Sequence, residues 1–251
     1  MTDRGYQPDF STIYESMHSV EERGRKAATM VAILRESLGD RLAHASVLNL
    51  GCSTGLIDEY IAPQVARMTG VDIDEPAIAL AKSRRNAPNL DFEIGDAMHL
   101  GFVDETFDVV ICSQVYEHVP DASRMMTEIR RVLRQGGVCY FAATNKWALI
   151  EKHHRLPFLS WLPQRLADRY MRITGKGDSY YERHLGYGSL LALVSGFRLE
   201  DCTGKVLTTP GRYEAEYLFG SAWQRRVAGF LFRTLRPIFP GYIWLLWKDP
   251  Q

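Results

Sequence analysis

Residues 47–55, VLNLGCSTG, limit what this chain can fold into more than any other stretch. A short apolar run drives into a turn of small residues, then into LIDEYIA, which has the composition of a helix. Such a turn lets backbone approach a ligand closely, and the helix start presents free N–H groups to it. Three more strand-like runs follow. MTGVDIDE (68–75) ends one on Asp72, EIGDAMHL (93–100) ends the next on Asp96, and FDVVICSQ (107–114) is another. A glycine turn and two carboxylates, each at the C-terminal end of a successive strand, form a nucleoside-binding constellation.

The turn narrows the choice of nucleoside. A dinucleotide fingerprint needs G-x-G-x-x-G facing a pyrophosphate. Here Gly51-Cys52-Ser53-Thr54-Gly55 lacks a third glycine in register, and no phosphate-loop lysine follows. A nucleoside without phosphates fits better. Asp72 is then the acceptor for a ribose diol, and Asp96 stands where an adenine amino group donates. Singly, Asp72 also reads as a strand-end turn residue and Asp96 as an Asx turn. Their occurrence after successive strands favours the ligand.

The order VLNLGCSTG, GVDIDE, GDAMHL, FDVVICSQVYEHV and VLRQGGVCYFAATN resembles the class I S-adenosylmethionine-dependent methyltransferases, most closely the small-molecule branch with a "methyltransferase 11" type domain. The resemblance covers the first 145 residues, and residues 190–202 more loosely. It implies an α/β fold: a Rossmann-like, doubly wound, mostly parallel seven-stranded sheet that uses S-adenosylmethionine. It implies that Gly51, Cys52, Ser53 and Gly55 wrap the methionine part, and that Asp72 with Ile73 holds the ribose. Asp96, Ala97 and Met98 would frame the adenine, while Ser113 and Gln114 would close the pocket beneath the sulfonium. Two positions depart from the family pattern. Asn49 stands where an acidic residue is common; it can still accept a hydrogen bond from the methionine ammonium or a water, without the charge. Ser53 stands where a second glycine is common and calls for a less extreme backbone. Both departures keep a noncatalytic cofactor-binding or scaffold protein open beside the enzyme.

A chain of 251 residues with this alternation is expected to form one domain. Its parts are an N-terminal helical arm (1–40), a cofactor-binding core (41–145), a helical cap inserted after the fifth strand (146–187), and C-terminal strands with a basic amphipathic helix (188–251). Lys and Arg balance Asp and Glu at 30 each, which gives no general attraction for nucleic acid. The halves differ: residues 1–145 carry 14 basic and 21 acidic residues, a net of −7, and the remainder 16 and 9, a net of +7. That asymmetry suggests a basic surface for an anionic substrate or membrane; two solvated faces that merely differ would produce it too. Cys52, Cys112, Cys139 and Cys202 lie far apart with no zinc spacing, so buried free thiols and no metal are expected. The N-terminus lacks a signal-peptide layout and no apolar run approaches a membrane span, so the expected location is cytoplasmic, or peripheral to the membrane.

Residues 21–38 read as a helix, with Ala28, Val31, Ala32, Arg35 and Leu38 near helical spacing and Gly39 as a stop. Residues 6–18 mix aromatic and polar side chains and read as a lid or an ordered arm. Asp121 caps a helix expected to run to Gly136-Gly137. The cap combines Trp147, Phe158, Trp161, Tyr170, Tyr180 and Tyr181 with seven basic against two acidic residues over 146–176. It leaves the ligand-binding edge of the sheet and reads as the acceptor site, or as a satellite core. In SAWQRRVAGFLFRTLRP, the residues Trp223, Val227, Phe230, Leu231 and Thr234 share a stripe among four arginines. That is the pattern of a helix on an anionic membrane, and equally of a helix covering the sheet. YIWLLWK (242–248) reads as a strand, and the resemblance implies that it is the antiparallel hairpin strand at the sheet edge.

A hydroxyl acceptor needs a base, and histidine is the usual one near neutral pH. His118, His153, His154 and His184 are the candidates, and His153 and His154, on an expected short helix after Glu151, are preferred. No Asn/Asp-Pro-Pro-aromatic tetrad follows residue 114, which argues against amino methyltransferases. The expected reaction is methyl transfer to a small-molecule acceptor at oxygen, lipid- or glycan-linked acceptors included. A quinone or isoprenoid ring methyltransferase is the alternative.

Overall fold

The computed structural model describes residues 10–249; the first residues of the expected arm lie outside them. Seven strands, β1 (Ser46–Leu50), β2 (Arg67–Asp72), β3 (Leu90–Ile94), β4 (Phe107–Ser113), β5 (Leu133–Thr144), β6 (Arg198–Asp201) and β7 (Gly241–Trp247), form one sheet in the order β3-β2-β1-β4-β5-β7-β6. The pairs from β3 through β5 are parallel, and β7 runs antiparallel to both of its neighbours. This places β7 inside the sheet rather than at its edge, which belongs to β6. Burial on both faces explains it: Trp244, Leu245 and Leu246 are fully enclosed, and such a continuous apolar run suits an interior strand.

The helices are α1 (Phe10–Ile13), α2 (Val20–Leu38), α3 (Leu56–Ile61), α4 (Glu75–Arg84), α5 (Ala122–Val132), α6 (Gln164–Ile173), α7 (Tyr187–Leu193), α8 (Thr203–Thr208) and α9 (Ala222–Thr234). Strand alternation distributes side chains to two cores. Val47, Val109, Ile111, Val138 and Leu245 face α2, α3 and α4; Leu48, Val110, Cys139, Phe141 and Trp244 face α5, α7 and α9. Ser19 caps α2 by accepting from Glu22 N. Its buried stripe is Ala27, Met30, Val31, Leu34 and Leu38, rotated from the expected one, with Arg35 reaching Gln64 at the surface. α5 stops at Val132 instead of running to the glycines. β7's continuation claims that stretch for the sheet, through Gly136 N to Lys248 O and Lys248 N to Gly137 O.

The cap leaves β5 after Thr144 and returns at α7. Its base is closed by Lys146 N donating to Leu185 O at 3.0 Å, and the Tyr116 hydroxyl bridges Thr144 O and Leu185 N. Leu156, Leu159, Ala167, Met171 and Tyr180 give it a core of its own. The four cysteines are buried and free. Among the described residues, no helix is long and apolar enough to cross a membrane.

Candidate active site

β1 ends at Leu50 and the chain turns through Gly51 (φ 68), Ser53 (φ 50) and Gly55 (φ 78) into α3. A Cβ on Gly51 would stand 2.8 Å from Val115, and one on Gly55 2.5 Å from Phe92. Neither position admits a side chain. Ser53 overturns the expectation of a relaxed backbone, because it is as left-handed as its glycine neighbours. Such strain costs about 1 kcal/mol and is characteristic of functional turns. Asp72 holds the turn in place: Ser53 N donates to Oδ2 at 2.7 Å, and Asp74 N donates to Oδ1 at 3.0 Å. Each oxygen retains acceptor capacity for a ribose hydroxyl.

The side chain of Asn49 is spent differently from the expectation. It is buried and donates to Asp58 Oδ2 at 2.8 Å. Burial pushes the Asp58 carboxyl up to about 8. The acid absent from position 49 thus stands on α3, in its protonated form at neutral pH.

From this loop a cavity of about 980 Å³ runs toward the C-terminal segment. Gly51, Ser53, Asp72, Ile73, Ala97, Ser113 and Gln114 line it. Asn49, Cys52, Gly55, Asp96 and Met98 stand behind the lining. The Cys52 thiol is buried, Gly55 backs onto Phe92, and Asp96 accepts from Met98 N at 2.7 Å in an Asx turn. Gln114 is also left-handed (φ 60), and its N–H donates to Ala142 O.

Two of the histidines reach the cavity. His118 and His153 line it with ring centroids 5.0 Å apart, edge to face, and Phe10 packs on both. His154 is directed elsewhere: its N–H donates to Glu151 Oε2, and its ring lies 3.3 Å from Glu182 and 3.5 Å from the Tyr14 hydroxyl. His184 is buried against Glu151 at 3.4 Å. The cause is local. Residues 152–154 form a turn rather than the expected helix, so consecutive side chains diverge. Glu117, His118 and His153 bring one potential ligand atom each within 4.8 Å of one another. Among the described residues, both Glu117 oxygens, both His118 nitrogens and His153 Nε2 have no hydrogen-bond partner. Two imidazoles and a carboxylate are a donor set that can hold a divalent cation or move a proton. The sequence concealed this group because residues 118 and 153 lie 35 positions apart and share no spacing motif. Burial lifts Glu117 to about 7 and holds His118 down at about 3; His153 is also lowered by burial.

The far end of the cavity was not legible from motifs. Its walls come from α8 (Thr203, Val206, Leu207), residues 217–219, Ala228 of α9 and residues 239–243. From the cap, only Lys152, His153 and Arg155 contribute, and from α2, Glu22, Arg23, Lys26, Thr29 and Met30 do. The expected stripe on α9 faces outward: Trp223 is 66% and Phe230 64% exposed, while Gly229 and Phe232 pack inward.

Residues 48–141 match the family model described as a methyltransferase domain. Over these residues the chain carries a methyltransferase domain. S-adenosylmethionine is the cofactor named for solved proteins of this fold. This methyltransferase domain is similar to that of "Ubiquinone biosynthesis O-methyltransferase" from Coxiella burnetii (strain Dugway 5J108-111), 29% identical over 163 residues, or 63% of this chain and 65% of the relative. The chain therefore matches just under two thirds of that relative's length. The protein of the same name from Rhizobium leguminosarum bv. trifolii is 34% identical over 123 residues, 47% of this chain and 49% of the relative. Among solved structures, a Pyrococcus horikoshii protein shares the fold with a TM-score of 0.61 at 19% identity, covering 96% of this chain and 98% of its own. An S-adenosylmethionine-dependent methyltransferase from Mesorhizobium loti does so with a TM-score of 0.56 at 18% identity, covering 86% and 95%.

Proposed function

We propose that this protein transfers a methyl group from S-adenosylmethionine to a hydroxyl of an amphiphilic small molecule. The carrying observation is one continuous cavity that joins the glycine turn and Asp72 to an apolar, aromatic far end, with His118 and His153 between. When bound, S-adenosylmethionine supplies an electrophilic methyl group on a sulfonium. The protein's contribution is then orientation and proton removal, since holding the two reactants together accounts for much of such catalysis. His153 is the better-placed base. It is neutral at pH 7 and lines the cavity, whereas His118 is held too far down to accept a proton readily.

The relatives named for ubiquinone biosynthesis favour a phenolic acceptor bearing an isoprenoid chain. The outward stripe of α9 supports the same reading. Trp223, Val227 and Phe230 stand exposed beside Arg225, Arg226 and Arg233, while Ala228 of the same helix lines the cavity. That is the arrangement of a helix lying on an anionic bilayer over the entrance used by a lipid-like acceptor. The test is methyl transfer measured by product mass with a short-chain prenylated catechol, a prenylated quinol and a free sugar. Methylation of the catechol oxygen is expected. Ring methylation of the quinol would instead support the carbon-methylating alternative. Failure to bind S-adenosylmethionine would favour a noncatalytic scaffold.

A further inference from the structure

The outer wall of the cap presents large apolar side chains that the fold leaves uncovered. Trp147, Phe158 and Trp161 form one cluster, with ring centroids 5.5 Å apart between the tryptophans and 5.0 Å between Phe158 and Trp161. Phe158 N donates to Leu149 O at 2.8 Å and Ile150 bridges to Pro157, which sets Leu149 and Ile150 beside the rings. Leu149 and Ile150 are each 60% exposed and Phe158 is 49% exposed, while their neighbours Leu156 and Leu159 fill the cap's small core. Arg155 (φ 56) and Phe158 (φ 58) are both left-handed, a region that a bulky side chain enters only under strain. Strain kept at a residue outside the core points to a role outside the fold.

The structure also sorts the cap's charges. Of the four acids between residues 146 and 187, Glu151 and Glu182 are buried against His184 and His154. Asp168 accepts from Gln164 Nε2 and Tyr180 N, and only Asp178 is exposed. Of the eight Lys and Arg in the same span, seven are exposed; the eighth, Lys146, lies 5.6 Å from the Trp147 ring. α6 repeats the arrangement. It packs inward through Ala167 and Met171 and turns Leu166 and Ile173, two turns apart on one face, outward beside Arg165, Arg169 and Arg172.

Exposed aromatic and aliphatic side chains edged by cations, with the acids turned inward, complement an anionic bilayer. They do not complement a second copy of the chain, because a symmetric contact would set the same cations against each other. We propose that the 147–161 hairpin of the cap is a membrane-contact surface, entering an anionic interface through Leu149, Ile150 and Phe158 while the arginines of α6 meet the headgroups. The surface is distinct from the α9 stripe and does not depend on methyl transfer. The two stripes belong to one body: Asn145 Nδ2 donates to Pro237 O and Phe239 O at 2.9 Å each, fastening the root of the cap to the segment after α9. Two weak contacts joined in this way bind more tightly than either alone, and losing one releases the protein.

The test is sedimentation of the full chain with vesicles of phosphatidylcholine alone or mixed with phosphatidylglycerol, at low and high salt. The parent should sediment with the mixed vesicles and not with phosphatidylcholine, and salt should weaken the binding. Leu149→Ser with Phe158→Gly should lower binding at least tenfold. The melting temperature should hold or rise, since glycine suits the left-handed position. Arg165→Glu with Arg169→Glu, which leaves the apolar patch intact, should remove the preference for the anionic lipid. Val103→Ser, at an isolated exposed residue before β4, should change nothing. A parent that stays in the supernatant overturns the proposal, and so does parent-like binding by both the Leu149/Phe158 and the Arg165/Arg169 variants. A dimer of the parent in analytical ultracentrifugation that Leu149→Ser with Phe158→Gly makes monomeric would assign the patch to a second copy instead. These readouts need neither acceptor nor S-adenosylmethionine, so they decide the surface whether or not methyl transfer is found.

Discussion

The cofactor end of the cavity is built from backbone, and the acceptor end from side chains. At the first, three of the five residues after β1, Gly51, Ser53 and Gly55, are left-handed, and a single carboxylate, Asp72, clamps the turn through the Ser53 N–H. At the second, α2, the 152–155 turn, α8, α9 and the approach to β7 each contribute one to five side chains. A backbone-built site tolerates few substitutions because its geometry is the fold itself. A side-chain-built site can change its chemistry one residue at a time. The difference predicts where mutations are costly and which measurement reports them.

The largest expected effect is on turnover. If His153 is the base, His153→Ala should lower kcat about 100-fold or more, the usual range for a lost general base. Cofactor affinity should be unchanged, and His154→Ala, directed away from the cavity, should cost far less. Equal losses in the two would mean that the turn positions neither residue for chemistry. Next, Asp72→Ala removes hydrogen bonds to a charged acceptor worth about 1.5–3 kcal/mol each and frees the Ser53 turn. Calorimetry should show S-adenosylmethionine affinity reduced at least tenfold, with acceptor-end probes still bound. Parent-like affinity would show that the backbone clamp works without its carboxylate.

The buried cluster between the two ends should appear in the pH dependence of stability. Glu117 titrates near 4.5 in the unfolded chain and about 7 in the folded one. The unfolded state therefore sheds that proton first, and stability falls as pH rises through that window. His118 acts in the opposite direction, since its folded value is about 3 against 6.5, and its contribution falls as pH drops below 6.5. Denaturant midpoints of parent and Glu117→Gln, measured from pH 4.5 to 7.5, should converge at the acid end and separate toward neutral, with the variant the more stable. Parallel curves would show that Glu117 is not held protonated.

A smaller effect separates α9 from the rest of the acceptor end. Trp223→Ser with Phe230→Ser should abolish sedimentation with anionic vesicles and leave the melting temperature within a few degrees, because both side chains are exposed. A large loss of stability would place them against protein in solution. The smallest concerns the turn: Ser53→Gly should raise unfolding stability by about 1 kcal/mol, by relieving a left-handed non-glycine residue. A drop in stability would mean that the serine's side chain contributes more than its backbone costs.

The sequence discloses what repeats locally. Strand β1, the glycine turn and Asp72 are legible because a turn that must approach a ligand needs small residues in fixed order, and the carboxylate follows at a strand end. Asp96 was legible as a turn and less so as a ligand, since Met98 N already occupies one of its oxygens. β7 was recognisable as a strand, but its place in the sheet was not, because edge and interior differ only in what lies on the far side. The role of Asn49 was hidden because its partner, Asp58, belongs to the next helix. The pairing of His118 with His153 depends on how distant segments fold back. No spacing rule encodes it.

A single phenol, that of Tyr116, grips Thr144 O where the insertion departs and Leu185 N where it returns, and Lys146 N closes the gap to Leu185 O. The two ends are therefore fastened side by side, and the intervening forty or so residues carry their own small core. Such a segment is a cassette: it can be lengthened, shortened or exchanged without the sheet noticing, since ends already adjacent impose little closure penalty. A change of cap would leave the glycine turn and Asp72 in place and would replace Lys152, His153 and Arg155 in the cavity wall.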